Sequence, residues 1–340
     1  MTMVLAKLQK QLCNLLQDGL PICRRPYAEI AKSLNSDEQT VLQSVRQLRD
    51  MQIIRRIGAM INYRALGRVS TLVAAHIAQE NLQEVVEAVN ALAGVSHNYL
   101  RDHYYNLWFT LQAHSQREIK VLLAGISKRF GTEFYSLPAR RAFKLDVRFN
   151  AGRNGRLVKC RKASLSGNSS RFLKPVRDGL RQDKAIKLTN DEKYIISKLQ
   201  CNFKYVAQPF DFLCSERLKI DDVLKIIERL VDKGVIRRIA AIVDHRRLGF
   251  VANVLFAAKV KDEQIERVGK KLACLGMVSH CYHRKTFESW PYNLLAMMHN
   301  RNVRQLRQAI NNFTKTENIT SFELLPTIVE LKRQPVRQDF

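Results

Sequence analysis

Three things are scarce in this sequence, and each scarcity narrows what the protein can be. Paired cysteines are missing: the seven present (Cys13, Cys23, Cys160, Cys201, Cys214, Cys274, Cys281) include no CxxC and are odd in number. That pattern fits reduced thiols better than a disulfide framework or a structural zinc site, so no metal-ligating set is expected. Long hydrophobic runs are missing too. No stretch nears the roughly 20 apolar residues of a membrane span, and the apolar residues that follow Met1 are broken by Lys7, Lys10 and Asp18. Neither a signal peptide nor a membrane contact is expected, and the chain reads as cytoplasmic. Acidic residues are few: 31 Asp+Glu face 57 Lys+Arg, a net charge of +26. Such an excess favours polyanionic partners, meaning nucleic acid, an anionic surface, or a small molecule with many carboxylates or phosphates.

The 340 residues are enough for two or more domains, and 46% hydrophobic content is ordinary for a globular chain. The positive charge is unevenly spread. Residues 151–187 hold eleven Lys+Arg against two Asp and show no apolar period, so they read as a flexible basic linker. Nucleic acid, another enzyme or nothing at all are the open readings for what this linker touches.

On either side of the linker the sequence repeats. IIRRIGAMINYRALG at residues 53–67 matches VIRRIAAIVDHRRLG at 235–249, and VSHNYLRDHYYNLWFTL at 95–111 matches VSHCYHRKTFESWPYNLL at 278–295. Two diverged copies of one module therefore stand in tandem. In copy one, residues 4–16 and 27–34 have helical spacing, and Ser36 followed by Gln39 suggests a capping-box start for a helix reaching Arg49. Residues 53–62 read as a strand pair or wing. Then come strand 69–78, helix 82–92, strand 95–101, strand 105–113, helix 116–130 and strand 134–147. This β-α-β-β-α-β order is ferredoxin-like. Copy two follows the same order from residue 251 to 331, after a helix at 221–232 and a less legible start at 191–218. The expected class is α+β, with two tandem modules, each a helix-turn-helix-like part followed by a ferredoxin-like βαββαβ domain. The boundaries are 1–62, 63–150, the linker 151–187, 188–244 and 245–340.

A helix-turn-helix ahead of a small ferredoxin-like domain resembles the Lrp/AsnC transcription regulators. The helix that would enter a major groove argues against DNA binding. Its first turn, which should present base-contacting side chains, carries Asp37, Glu38 and Gln39, and its counterpart in copy two starts with Asp221 and Asp222. Carboxylates suit a helix N-terminus but repel phosphate.

Alternate residues of a strand share a face. Val278, His280, Tyr282 and Arg284 should therefore lie together, with Ser279, Cys281 and His283 facing the other way; Val95, His97, Tyr99 and Arg101 form the same row in copy one. An imidazole that titrates near neutrality, an aromatic wall and a guanidinium that grips carboxylate suit a flat polycarboxylate. Each residue alone would more simply be a satisfied or solvated sheet residue. Three on one face, repeated twice, favour a site. His97, His280, Arg101 and Arg284 are the candidate catalytic residues, with Tyr99 and Tyr282 lining the same face. The doubled arginines Arg55 and Arg56, Arg237 and Arg238, together with His245 and Arg246, are candidates for further carboxylates. By alternation only one arginine of each pair can face a ligand. Trp290, in the four-residue insertion that distinguishes the second hairpin, is a further substrate-binding candidate.

VSHCYHRKTFESWPYNLLAMMH together with GVIRRIAAIVDHRRLGF resembles the signature of the siroheme decarboxylases, Lrp/AsnC-like enzymes built from two related subunits, and VSHNYLRDHYYNLWFTL is similar to the companion subunit. The resemblance spans both halves except the linker. It implies a fused pseudo-dimer converting siroheme to 12,18-didecarboxysiroheme, a carboxy-lyase reaction of haem d1 or alternative haem biosynthesis. It also implies that no cofactor is required, since the iron enters with the substrate. Other haem-biosynthesis enzymes are then conceivable partners. A DNA-binding regulator and a tetrapyrrole carrier or sensor remain alternatives, and either half could hold the active site.

Overall fold

The computed structural model describes residues 5–152, 185–334 and 336. Most of the expected basic linker, residues 153–184, lies outside the described residues.

Copy one opens with helices α1 (Lys7–Asp18), α2 (Pro26–Ser33) and α3 (Glu38–Asp50). Proline opens α2, where its missing N–H costs nothing. The cap of α3 is Asp37 and not Ser36: the Asp37 carboxylate accepts the Thr40 N–H at 2.8 Å, while the Ser36 N–H is committed to Ala31 O and finishes the preceding turn. Strand β1 (Ile54–Ile61) follows, then β2 (Val69–Ala75), α4 (Leu82–Ala91), β3 (Val95–Arg101), β4 (Leu107–Ala113), α5 (Gln116–Phe130) and the long β5 (Phe134–Leu145). Helix α5 is capped by Ser115 and stopped by Gly131 in the left-handed region. Copy two repeats the order with α6 (Asn190–Leu199), a 3-10 turn at Asp211–Leu213 where copy one has α2, α7 (Ile220–Asp232), β6 (Ile236–Val243), β7 (Ala252–Ala258), α8 (Asp262–Cys274), β8 (Val278–Arg284), β9 (Leu294–Asn300), α9 (Val303–Thr316) and β10 (Phe322–Arg333).

The two copies are joined at three places. Residues 54–61 do not fold back on themselves as a pair; β1 is a single strand and its partner is β6, antiparallel, with Gly58 opposite Ala240. The helices of both copies pack around this ribbon into one core that includes Leu12, Leu16, Val45, Leu48, Ile196, Leu199, Ile227 and Leu230. The face of α3 also leans on copy two, where the Arg46 guanidinium donates to Tyr205 O at 3.0 Å. Arg24 reaches Asp221 at 2.7 Å.

The second and third junctions come from the long strands. The first half of β5 pairs with β2 of its own copy, and its second half pairs with β8, with Ala142 opposite Tyr282. Likewise β10 pairs with β7 and then with β3, with Glu330 opposite Tyr99. The result is a closed eight-stranded barrel, in order β10-β3-β4-β2-β5-β8-β9-β7. Each copy keeps a core between its own sheet face and helices. The inner barrel face carries a further cluster drawn from both copies, including Trp108, Leu137, Leu255, Trp290, Leu295 and Leu325.

The turn after each ribbon strand is the repeated RxLG phrase. Gly67 and Gly249 sit there at φ +80° and +87°, a conformation that only glycine takes without strain.

Candidate active site

A bulge aims each histidine. The register of β3 against β4 shifts between Val95 and His97, and that of β8 against β9 shifts between Val278 and His280. Strict alternation would put Val95 with His97 and Val278 with His280. The extra residue breaks that relation, so the valines pack in the helix-side cores while the rows His97-Tyr99-Arg101 and His280-Tyr282-Arg284 share the inner face of the barrel. Cys281 points the other way, into the helix-side core, as the alternation requires.

The two rows match in geometry. The His97 and Tyr99 rings are 6.3 Å apart, as are those of His280 and Tyr282. Arg101 lies 5.3 Å above the Tyr99 ring, and Arg284 lies 4.6 Å above Tyr282. Each arginine is anchored by a carbonyl of the neighbouring long strand, Arg101 by Leu325 O of β10 at 3.1 Å and Arg284 by Leu137 O of β5 at 2.7 Å. The histidines and tyrosines stay half-buried on a closed inner face. Burial, with the charge of Arg333 added, brings His97 down to about 4. Burial together with His97, Arg237 and Arg284 brings His280 down to about 3. Both are neutral imidazoles at physiological pH. Burial also lowers both Arg101 and Arg284, to about 10.

The ribbon settles which arginine of each doublet joins the rows. Arg55 faces the barrel, binding Asp244 at 2.7 Å and Glu330 at 3.0 Å. Arg237, its repeat equivalent, is a charged neighbour of His280 and Tyr282 and donates to Asn62 Oδ1 at 3.3 Å. Arg56 and Arg238 turn away, as alternation demands. Arg56 crosses Gly58, and Arg238 joins Asp146 at 3.4 Å in a network with Arg148 and Asp18. These two lie outside the rows. His245 is buried against Phe149, with its Nε2 3.2 Å from the Asn253 amide nitrogen and its ring 5.3 Å from that of His299. Arg246 is exposed, and its backbone N–H is held by Asp244. Trp290 is buried among Tyr105, Trp108, Phe287 and Tyr292, with His103 edge-on to it; these contacts are aromatic packing at the hairpin ends and include no member of the rows.

The structure adds residues that local reading missed. Arg64, whose repeat counterpart Arg246 was singled out in the sequence, is a charged neighbour of Tyr282 and Arg284. Applying the repeat in both directions would have found it. Glu330 and Arg333 reach the copy-one row from β10, with Arg333 opposite His97. No local signal marks them, because strand exchange brings them there.

The rows differ in their surroundings. On the copy-one side, Asp244 and Glu330 neutralise Arg55, and Glu330 also meets Arg333 at 3.5 Å. At the equivalent positions on the copy-two side stand Asn62 and Ala142. Arg101 gains a second acceptor in Thr327 Oγ1 at 3.0 Å and is 4% exposed. The residue at that place opposite Arg284 is Ala139, and Arg284 remains half-buried. The copy-two wall thus keeps cationic donors without the two built-in carboxylates.

Known proteins resemble this arrangement. Residues 65–144 and 247–332 match the AsnC-like ligand binding domain, and residues 9–55 match the siroheme decarboxylase NirDL-like HTH domain. A siroheme decarboxylase of Hydrogenobacter thermophilus is 30% identical over 331 residues, 96% of this chain and 93% of that protein. The siroheme decarboxylase alpha subunit of Desulfovibrio desulfuricans is 46% identical over 142 residues, 42% of this chain and 82% of the subunit. The crystal structure of the siroheme decarboxylase NirDL in complex with an iron-uroporphyrin III analogue superposes with a TM-score of 0.69 at 27% identity, covering 97% of this chain and 94% of that one.

Proposed function

Because the chain belongs to the siroheme decarboxylase family, we propose that it decarboxylates siroheme to 12,18-didecarboxysiroheme, acting as a carboxy-lyase between the two inner rows of its barrel. The observation that carries this reading is the pair of His-Tyr-Arg rows on one closed inner face, with the copy-two wall lacking the carboxylates that neutralise the copy-one wall. Siroheme is flat, with carboxylates around its rim. Tyr99 and Tyr282 offer flat surfaces, while Arg284, Arg237 and Arg64 offer charge-assisted contacts to carboxylates.

In the step itself, Arg284 holds one ring acetate with its carboxylate out of the macrocycle plane. The bond from methylene to carboxyl carbon breaks, carbon dioxide leaves, and the electron pair remains on the methylene carbon, conjugated with the ring. A proton from His280 Nε2 converts that carbon to a methyl. Burial and the neighbouring cations alone keep His280 neutral. Several carboxylates arriving beside it reverse the electrostatics and favour the imidazolium, so the substrate itself charges the acid. His97, across the barrel, is the corresponding group of the copy-one row.

Anaerobic incubation of the purified chain with siroheme, followed by mass spectrometry, tests the reading. Loss of two carbon dioxide units is expected. Binding without mass loss would make the protein a carrier or sensor, and absence of binding with salt-sensitive, sequence-specific DNA retention would make it a regulator.

A further inference from the structure

The bulge that turns His280 inward also places Ser279 between two imidazoles. Ser279 Oγ is 3.1 Å from His280 Nδ1 and 2.9 Å from His299 Nε2, with Met297 O more distant at 3.3 Å. His299 is 5% exposed and is packed perpendicular to Phe149 and beside His245. It holds no proton-binding role in the mechanism above. We propose that His299 is a positioning residue for His280, acting through the Ser279 hydroxyl, and that this three-membered chain makes the copy-two histidine the proton donor.

The available donors set the direction of the chain. This inference presupposes the decarboxylase reading, in which His280 works as an imidazolium with Nε2–H toward the substrate. Its Nδ1–H must then donate to Ser279 Oγ. The hydroxyl keeps one proton, and its nearest remaining acceptor is His299 Nε2. Burial, with the neighbouring His245 and His280, holds His299 well below its ordinary pKa, so His299 stays neutral and its Nε2 lone pair stays available. The result is a chain running from His280 Nδ1–H to Ser279 Oγ–H to His299 Nε2. Each bond polarises the next, which stabilises positive charge on His280 and fixes the ring with its other nitrogen inward.

Copy one lacks this device. Ser96 also meets its histidine, at 2.9 Å from His97 Nδ1, but its second partner is the Thr110 hydroxyl at 2.7 Å. The position equivalent to His299 is Gln112. A threonine hydroxyl either donates or accepts, so it imposes no direction on the chain and is a weaker base than imidazole. The titratable and charged groups around His280 are His97 on β3, His299 on β9, Arg237 on β6, Asp146 after β5 and Arg284 on its own strand. Only Asp146 is anionic, and it is already bound to Arg148 and Arg238. The serine chain is therefore the support for a cationic His280 that involves no charged partner.

The test compares wild type, Ser279→Ala, His299→Phe, His299→Gln and His280→Ala in the full chain, measuring kcat, KM and the pH dependence of kcat with siroheme. Ser279→Ala removes the bridge without disturbing the buried ring, so it reports even if His299→Phe folds poorly. In both, the alkaline limb of the kcat profile is expected to move down by about one pH unit, with kcat at neutral pH falling about tenfold. KM should stay within about twofold, since neither side chain is assigned to binding. His299→Gln, whose amide oxygen can accept from Ser279, should recover part of the loss. An unshifted profile in Ser279→Ala and His299→Phe, with His280→Ala still inactive, would overturn the inference while leaving the decarboxylase reading intact. A wild type that does not turn over siroheme would instead overturn that reading.

Discussion

The residue scale is where the two rows separate, and the arginines show it most directly. One terminal nitrogen of Arg101 donates to both Leu325 O and Thr327 Oγ1 in a buried setting, whereas Arg284 is held by Leu137 O and remains half-buried. Arg284→Ala should therefore weaken siroheme binding by about 1.5–3 kcal/mol, the range for a hydrogen bond to a charged group. A titration by absorbance checks it, and a loss below a few tenths would return Arg284 to a structural role. His280→Ala should retain binding and lose at least one decarboxylation; unchanged turnover would remove it from the mechanism. The depressed histidines also fix a sign. His97 and His280 titrate near 4 and 3 in the folded chain against 6.5 ordinarily. The unfolded chain thus binds more protons between about pH 6.5 and 3, so stability is lost as pH falls through that window. Binding a polycarboxylate works in the opposite direction by raising these pKa values. Calorimetry in buffers of different ionisation enthalpy should show net proton uptake on siroheme binding at neutral pH; release would contradict the substrate-charged acid.

At the scale of elements, β5 is the instructive case. Its first half belongs to copy one, and its second half carries Phe143 onto α8 of copy two, where the ring occupies the space a Cβ on Gly269 would need, 2.3 Å from the nearest atom. A glycine in a helix interior normally gains about 0.5–1 kcal/mol on replacement by alanine. Here overpacking wins, and Gly269→Ala should destabilise by about 1–3 kcal/mol, read from the denaturation midpoint. Combining it with Phe143→Leu should recover part of the loss, because the two changes share one contact. Such contacts mark the limit of what sequence discloses. The helices and strands are legible from apolar period, and the repeat reveals a second copy, so the rows themselves could be named. The bulges at Val95 and Val278 were invisible to strict alternation, which put each valine on the wrong face. Glu330 and Arg333 were invisible for a different reason: they reach the site only through a strand pairing more than two hundred residues apart in sequence, and no local pattern encodes it.

The whole molecule is held as one body by pairings that cross between copies: β1 with β6, β5 with β8 and β10 with β3. The helix cores merge around the first of these, and the inner barrel cluster draws on both copies. The residues that form these pairings and clusters lie within 5–152 and 185–334. Cutting the chain between these two stretches, by an inserted protease site, should therefore leave the two halves together on gel filtration and leave siroheme turnover within about twofold. The cross-copy strand pairings and the shared core join the halves directly, so covalent continuity supplies effective concentration. Each half prepared alone should behave differently. Copy one would expose the second half of β5 as an unpaired edge and leave Trp108 and Leu137 without Leu255, Leu295 and Leu325 across the barrel. An unpaired strand edge beside an uncovered apolar face invites pairing with another strand, so the isolated half should self-associate or aggregate. Remixing the two halves should restore a one-to-one complex with turnover. If the isolated copy one were instead a stable monomer that decarboxylates siroheme, the site would belong to one row, and the closed barrel would not be its frame.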